Sequence, residues 1–287
     1  MDLAAGASVS VVIPAHDEAR TLRRTLEALR AAAVHEVPEV VVVANGCTDG
    51  TADVARAAGA TVVELGAASK AAALRAGDEV ATAFPRVYLD ADIVLTPGTL
   101  DSLAARLRAG DLLAASPRVE FDTSASSWPV RAFYRAYREL PYVREGLVGL
   151  GVYGLSARGR SRFGQFPDVT SDDLFVQRLF GEDERGSSGG TFVVAAPRDL
   201  RNLVKVRTRT AAGNAELSRS AGDAPPAAAV EDRFGRSTSR TSTALLRTVG
   251  RRPALVPSFA VYTAVTVASR VLARRQGTAW QRDSSTR

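Results

Sequence analysis

Within residues 1–110 the chain passes four times from an apolar, strand-like run to a helix-like one, and no other feature narrows its fold as sharply. "VSVVIP" (9–14) reads as a buried strand, and Leu22, Leu26 and Leu29 then recur at helical spacing. "EVVVVA" (39–44) is the second strand; the helix after it takes Thr48 or Asp49 as its cap and Gly59 as its stop. "TVVEL" (61–65) and the Ala-rich "SKAAALRAGDEVATAF" make the third pair. "RVYLD" (86–90) is the fourth strand. Thr96 caps its helix, Pro97 takes the first helical position, and Leu100, Leu103 and Leu107 share one face. This alternation predicts an α/β fold, a doubly wound and mostly parallel sheet with helices on both faces.

In such a sheet ligands bind beyond the carboxyl ends of the strands, and right-handed crossovers bring those ends to one edge. Four polar clusters fall there: "PAHDE" (14–18), "ANGCTD" (44–49), "GAASK" (66–70) and "DAD" (90–92). Asp90 and Asp92 interrupt the apolar run "YLDADIVL", where an acid is rarely buried unless paired. At a strand end both can reach one divalent cation, Mg²⁺ or Mn²⁺, whose shell water and a substrate phosphate complete. Lys70 opens a helix, where the dipole disfavours a cation, and a bound phosphate would account for it.

The middle of the chain is less regular. "DLLAASPRVEFD" (111–122) is strand-like, and "WPVRAFYRAYREL" is an amphipathic helix with Val130, Phe133, Tyr134 and Tyr137 on one face. "LVGLGVYGLS" is Gly-rich and strand-like; "TSDDLFVQRLF" (170–180) reads as a helix capped by Ser171. "TFVVAAP" and "LVKVRTRT" look like further strands. Residues 221–252, rich in Ala, Pro, Ser and charge over most of their length, read as a linker, and 253–287 as an amphipathic helix and tail. In that helix Thr263, Thr266, Arg270 and Arg274 form a polar stripe, with Val261, Val265, Ala268 and Leu272 facing away. Residues 1–110 thus form one half of a domain, 111–220 the other.

Other motifs are weaker. "GLGVYG" (149–154) fits a dinucleotide fingerprint, but it leads into strand and no βαβ unit surrounds it; small residues flooring a pocket suit it better. Zinc is not expected at His16, Asp17 and Glu18, because consecutive loop residues rarely converge on one ion and the other histidine is His35. Cys47, the single cysteine, has no His or Cys partner in the sequence to mark a catalytic thiol.

Charge is uneven. Residues 231–287 hold eleven arginines against Glu231, Asp232 and Asp283, a local +8 within a total of +6. Such a tail favours an anionic partner, a membrane surface or lipid phosphate; without interleaved aromatics, nucleic acid is not expected. No basic head with an apolar stretch opens "MDLAAGASVSVV", and the expectation is a cytoplasmic protein, peripheral at the inner face of the membrane. The stretch 253–275 would meet a membrane surface, pack on the rest of the protein or drive self-association.

Taken together, the motifs resemble the inverting nucleotide-sugar glycosyltransferases of the GT-A fold, the group that includes cellulose, hyaluronan and dolichyl-phosphate-sugar synthases. "VSVVIPAHDEARTLRRTLEAL" is similar to that family's opening strand, P-x-x-[ND]-E loop and helix, and "VVVVANGCTDGTADVA" to its "VDDGSTDGT" segment. "SKAAALRAG" resembles its G-K-x-x-A-L-N-x-G segment, "YLDADIVL" its D-x-D, and "SDDLFVQRL" its T-E-D. The resemblance implies a GT-A-like sheet with a smaller mixed acceptor region and a C-terminal helical tail. It implies a nucleoside-diphosphate-sugar donor, a divalent cation, and an acceptor that is a glycan, lipid carrier or small molecule.

Carried over by residue, Pro14, Ala15 and Glu18 would line the base and ribose pocket. Asn45 stands where an acid reads the nucleobase, Asp90 and Asp92 would hold ribose and metal, and Asp173 would be the catalytic base with Asp172 as helper. The family's Q-x-x-R-W is absent; Arg207 and Arg209 in "VRTRTAAGN" would stand in on the diphosphate, and a single transfer is expected rather than processive synthesis. Two rival classes stay open. A sugar-phosphate nucleotidyltransferase would carry a Gly-rich phosphate loop after strand one, which "PAHDEA" lacks; the other is a non-catalytic glycosyltransferase-like binding protein.

Overall fold

A computed structural model of the chain describes residues 8–140, 143, 150–168, 171–220 and 252–275. Of the linker read at 221–252 only Arg252 falls within them, and the first residue of "GLGVYG" lies outside. The chain forms two compact units, residues 1–120, 146–168 and 172–194 in the first and 121–145, 169–171 and 195–287 in the second.

The first unit is the α/β body. Strands β1 (Val9–Ala15), β2 (Pro38–Asn45), β3 (Thr61–Leu65) and β4 (Arg86–Leu89) alternate with helices α1 (Ala19–Ala32), α2 (Thr51–Ala57) and α3 (Lys70–Val80). β1 pairs in parallel with both β2 and β4, and β2 with β3. The order β3-β2-β1-β4 puts a topological switch between β1 and β4, where a crevice opens beyond the strand ends. The apolar run through "YLDADIVL" is two strands: β4 ends at Leu89, the chain turns through Asp90–Asp92, and β5 (Val94–Leu95) follows. Helix α4 (Thr99–Arg108), strand β6 (Ala114–Asp122), strand β7 (Val152–Leu155), short helix α6 (Ala157–Arg160), helix α7 (Asp172–Leu179) and strand β8 (Arg185–Ala195) complete it. β7 is antiparallel to β4 and β6, and β5 to β8, so the eight-stranded sheet is mixed, with the parallel strands β3-β2-β1-β4 forming one side of it.

Alternation along β1 explains the double winding. Val9, Val11 and Ile13 face one side, with Leu22, Leu26 and Leu29 of α1 and Leu100, Leu103 and Leu107 of α4. Val12 faces the other, with Ala73 and Leu74 of α3 and Val176 of α7. Each such side chain, fully buried, contributes about 1.5–3 kcal/mol. Close approach is set by Gly77 in α3, where a Cβ would stand 2.4 Å from Val12 Cγ1.

Several helix ends differ from the sequence expectation. α2 begins after Gly50, although Asp49 Oδ1 still accepts the Thr51 N–H at 3.0 Å. α4 begins at Thr99 rather than at Pro97, because Gly98 takes a left-handed conformation (φ 71°) that breaks the turn before it. "LVKVRTRT" is not a strand. It lies in α8 (Leu200–Ser220), which Asp199 caps by accepting the Asn202 N–H at 2.9 Å. That cap overrides the period-two alternation of Val and Thr.

The second unit is helical. α5 (Trp128–Tyr137) presents Val130, Phe133, Tyr134 and Tyr137 as expected, and packs with α8 and α9 (Val256–Arg275), which a 3-10 turn at Pro253–Leu255 precedes. Tyr262 of α9 lies 5.3 Å from the Phe133 ring, centroid to centroid. Phe259 and Val265 are buried in this contact. Of the face that the sequence left open between membrane and protein, Val265 is buried, Val261 and Leu272 are half-buried and Ala268 is exposed, while Val256, Ala260, Ala264, Val267 and Val271 are also exposed. Aromatic packing on α5, a tertiary effect, sets the rotation. Among the described residues one helix, Pro253–Arg275, is long and apolar enough to cross a membrane.

Candidate active site

At the switch point Lys70 sits between two acids. Its Nζ is 2.8 Å from Asp90 Oδ1 and 2.8 Å from Asp172 Oδ1. Ser69 places it, capping α3 by accepting the Ala72 N–H. Asp172 is 4% exposed, and its Oδ2 accepts the Tyr153 hydroxyl at 3.0 Å. Burial would depress the Lys70 ammonium, but Asp172, Asp90 and Asp173 hold it well above its ordinary value. Burial and the Asp172 charge likewise keep the Tyr153 hydroxyl protonated.

Asp173 is half-buried, one position further round α7. Its Oδ2 accepts the Leu150 N–H at 3.0 Å and its Oδ1 the Leu174 N–H at 2.7 Å. Desolvation first, then the neighbouring Asp172, raise its pKa above the usual carboxylate value, against Lys70 and the two N–H groups. Leu150 (φ 76°) and Gly151 (φ 99°) are both left-handed, and Gly151 C=O accepts the Asp90 N–H at 2.8 Å. Two successive residues thus tie the Asp90 turn to Asp173. A Cβ on Gly151 would come 3.1 Å from Asp90 Oδ2 and 3.0 Å from Ile93 Cδ1.

Asp92 stands open to solvent at the rim, yet enough protein surrounds it that desolvation, then Asp90 and Glu18, push its carboxyl up to about 6. Negative charge is in excess here. Carboxylate oxygens, one side without a Cβ, and excess negative charge fit a hard divalent cation such as Mg²⁺ or Mn²⁺.

Of the residues singled out in the sequence, Pro14, Lys70, Asp90, Asp172 and Asp173 line one cleft. Glu18 joins them electrostatically through Asp92, its N–H held by Thr51 Oγ1 at 2.8 Å. Ala15 is buried at the end of β1. Asn45 is 1% exposed; its Nδ2 donates to Ala15 C=O at 2.7 Å and its Oδ1 accepts the Ser69 N–H at 3.0 Å. Its amide therefore ties the ends of β1 and β2 to the start of α3 beneath the crevice. Arg207 and Arg209 lie on α8 in the second unit, where the Arg207 guanidinium sits 5.0 Å over the Tyr137 ring.

Sequence reasoning missed Leu150, Gly151 and Tyr153, although the Gly-rich "GLGVYG" signalled a pocket floor and Gly151 is part of one. It also missed a neighbour of Cys47: His16 and Asp17 converge on it, one ligand atom of each within 4.8 Å of the others. Cys47 therefore has the histidine neighbour that the sequence did not reveal.

The Glycosyl transferase family 2 profile matches residues 10–163. Glycosyltransferase AglD of Haloferax volcanii is 33% identical over 123 residues, 39% of this chain; the match spans 20% of that protein's length. Among solved structures, the mannosyltransferase PcManGT from Pyrobaculum calidifontis, in complex with GDP-Man and Mn²⁺, aligns over 93% of this chain and 87% of its own. Its TM-score is 0.64 at 22% identity, a likeness of fold. Glucosyl-3-phosphoglycerate synthase from Mycobacterium tuberculosis, in complex with Mn²⁺ and UDP-Glc, aligns over 68% of this chain and 72% of its own, at 20% identity and a TM-score of 0.48. The profile covers more than half the chain, including β1 to β4, the D-x-D turn and β7, and the chain belongs to glycosyl transferase family 2.

Proposed function

We propose that the chain is a divalent-cation-dependent inverting glycosyltransferase that moves one sugar from a nucleoside-diphosphate sugar to an acceptor hydroxyl. The observation that carries this reading is Lys70 bridging Asp90 and Asp172 at the β1/β4 switch point, with Asp92 beside them and Asp173 on the same helix as Asp172. The metal-bearing complexes of PcManGT and of the glucosyl-3-phosphoglycerate synthase are in keeping with it.

Asp92, with Asp90, would hold the cation, which neutralises charge on the departing diphosphate. Lys70 adds a second positive charge on the phosphate side. Asp173, with its pKa raised, takes the acceptor hydroxyl proton. The acceptor oxygen attacks the anomeric carbon from the face opposite the diphosphate, the C–O bond to phosphate breaks, and its electron pair leaves on the nucleoside diphosphate. Configuration inverts. Asp172, occupied by Lys70 and Tyr153, fixes the position of α7. Pro14, Ala15 and Glu18 form the wall on the base and ribose side, above the strut that Asn45 provides.

A panel of nucleotide sugars tests the reading. Transfer with inverted anomeric configuration, abolished by EDTA and restored by Mn²⁺ or Mg²⁺, is expected. Release of pyrophosphate from a nucleoside triphosphate and a sugar phosphate, without transfer, would make it a nucleotidyltransferase; binding without either reaction would make it a binding protein.

We infer a cytoplasmic location, peripheral at the inner membrane face, and α9 supports the membrane part of this reading. Its exposed Val256 and Val267 lie between Arg252 and the group Arg270, Arg274 and Arg275, with exposed Val271 inside that group. This suits an anionic lipid surface. Flotation with anionic liposomes at low salt is expected; a concentration-dependent dimer that stays out of the lipid fraction would assign the face to self-association.

A further inference from the structure

The loops after β1 and β2 bring together three side chains that the transfer reaction leaves unused. We propose that His16, Asp17 and Cys47 form a binding site for a soft divalent cation of the Zn²⁺ class, separate from the Asp90/Asp92 pair. One ligand atom from each lies within 4.8 Å of the other two. Imidazole, carboxylate and thiolate are the donors that Zn²⁺ takes, at about 2.0–2.3 Å from the ion. Donors around a tetrahedral ion at those lengths stand roughly 3.3–3.6 Å apart, so side-chain adjustment of about 1 Å closes the site.

The backbone is arranged for it. Asp17 is a non-glycine residue at φ 48°, a left-handed turn that sets it apart in direction from its neighbour His16. Its N–H donates to Cys47 Sγ at 3.4 Å, which ties the sulfur to the Asp17 turn. The Cys47 thiol donates to Ala15 C=O at 3.5 Å, a proton that a bound ion would replace. Asp17 Oδ1 accepts the Thr48 N–H at 2.6 Å, which orients the carboxylate towards the β2 loop. All three residues are half-buried, sheltered but within reach of an ion.

Donor chemistry separates the two sites. The D-x-D turn offers only carboxylate oxygen, suited to Mg²⁺ or Mn²⁺, whereas a thiolate and an imidazole select a softer ion. Three protein ligands leave one tetrahedral position for water, so the site is open rather than sealed. Binding converts the Cys47 thiol to a metal-bound thiolate and releases its proton to solvent. An ion here joins the β1–α1 loop to the β2–α2 loop at the strand ends bordering the crevice.

Cobalt(II) titration of the metal-free full chain tests the site without reference to activity. Expected is a sulfur-to-cobalt charge-transfer band in the near ultraviolet, saturating at one ion per chain and erased by Zn²⁺. The band should persist in Asp92→Asn. It should be lost in Cys47→Ala and weakened to lower affinity in His16→Gln and Asp17→Asn. Far-ultraviolet circular dichroism checks each variant, and Cys47→Ser replaces Cys47→Ala if the latter does not fold. No charge-transfer band in the wild type overturns the proposal. So does one ion shared between two chains, or unchanged affinity in both His16→Gln and Asp17→Asn, which would leave Cys47 binding cobalt alone.

Discussion

Helix α3 carries an ion cluster at each end, and the two are built oppositely. Lys70 in its first turn and Asp78 in its last are each of the sign that the helix dipole disfavours, so neither is there to stabilise the helix. Asp78 is closed in. Arg86 and Arg160 both pair with it, and the Tyr88 hydroxyl donates to it at 2.6 Å. Burial acts to raise its pKa, but Arg160, Tyr88 and Arg86 lower it further, so it stays below the usual carboxylate value. At the other end one ammonium faces Asp90 and Asp172, with Asp92 and Asp173 close by. One cluster has its acid matched by more cation than it needs; the other has acids to spare. Saturation marks a group that holds the fold, and surplus marks one that waits for a ligand. Tyr88 stacks on Tyr153 with ring centroids 5.0 Å apart, so the saturated cluster stands directly behind the tyrosine that holds Asp172.

The comparison breaks most visibly at the surplus end. Asp173→Asn keeps the shape and one of the two N–H contacts, since its single carbonyl oxygen alone accepts, and it removes the basicity. Turnover should fall by about 10²–10⁴-fold with donor binding intact. Asp172→Asn should act differently, loosening Lys70 and Tyr153 and lowering stability as well as rate. Steady-state kinetics beside thermal melts separate the two. The reverse ranking in turnover would move the base to Asp172.

The saturated end answers in stability. Asp78→Ala leaves Arg86, with a side chain only 7% exposed, facing no carboxylate, and breaking a buried pair of this kind costs about 3–5 kcal/mol. Denaturant unfolding reads it directly. Added Mn²⁺ with a nucleoside diphosphate should raise the melting temperature of the wild type and of Asp78→Ala alike, since the ligand fills the other cluster. In Asp92→Asn the rise should shrink. If the ligand-induced rise vanished in Asp78→Ala and persisted in Asp92→Asn, the assignment of roles to the two ends would be inverted.

How far the sequence could show this depended on the range of the interactions. Strand ends and their polar clusters are local, and Lys70 and Asp90 stand out in the sequence because a cation at a helix start and an acid in an apolar run violate a local preference, whereas Asp172–Asp173, acids where a helix start favours them, stand out only through the resemblance of "SDDLFVQRL". Asn45 was legible in position but not in direction: at the end of a buried strand, its amide turned down to Ala15 and Ser69. Leu150 and Gly151 matter through left-handed backbone, which no side-chain pattern announces for leucine. α8 was misread because the alternation of Val206, Thr208 and Thr210 is strand-like, and a single cap at Asp199 outweighs it. The sequence leaves open which face of α9 packs inward, because aromatic packing on Phe133 and Tyr137, over a hundred residues away, sets its rotation.

Acid separates the clusters less strongly. Because Asp78 has a folded-state pKa below its unfolded value of about 3.9, its stabilisation is complete above that value and is lost as pH falls through the folded-state pKa. Unfolding free energy measured from pH 7 downward should therefore drop steeply below about pH 4 in the wild type. In Asp78→Asn the curve starts lower and that part of the slope is missing. An unchanged slope would mean that other carboxylates govern acid unfolding.

The smallest effect is the sharpest test of what surplus means, and it compares two glycines. Gly77, midway along α3, would as alanine push a Cβ to 2.4 Å from Val12 Cγ1, in the apolar layer between helix and β1. Gly77→Ala overpacks a core and should cost about 1–3 kcal/mol, with the affinity of the folded fraction for a nucleoside diphosphate and Mn²⁺ unchanged. Gly151→Ala meets two penalties of different kinds. Its left-handed backbone disfavours any side chain, a strain of order 1–3 kcal/mol. Its Cβ would also stand 3.1 Å from Asp90 Oδ2, on the very turn whose N–H Gly151 holds. The stability loss should therefore resemble that of Gly77→Ala, while calorimetry with Mn²⁺ and nucleoside diphosphate should show weakened binding for Gly151→Ala alone. Equal affinity in the two variants would mean that the Asp90 turn tolerates displacement, and that the surplus acids are not held in place for a ligand.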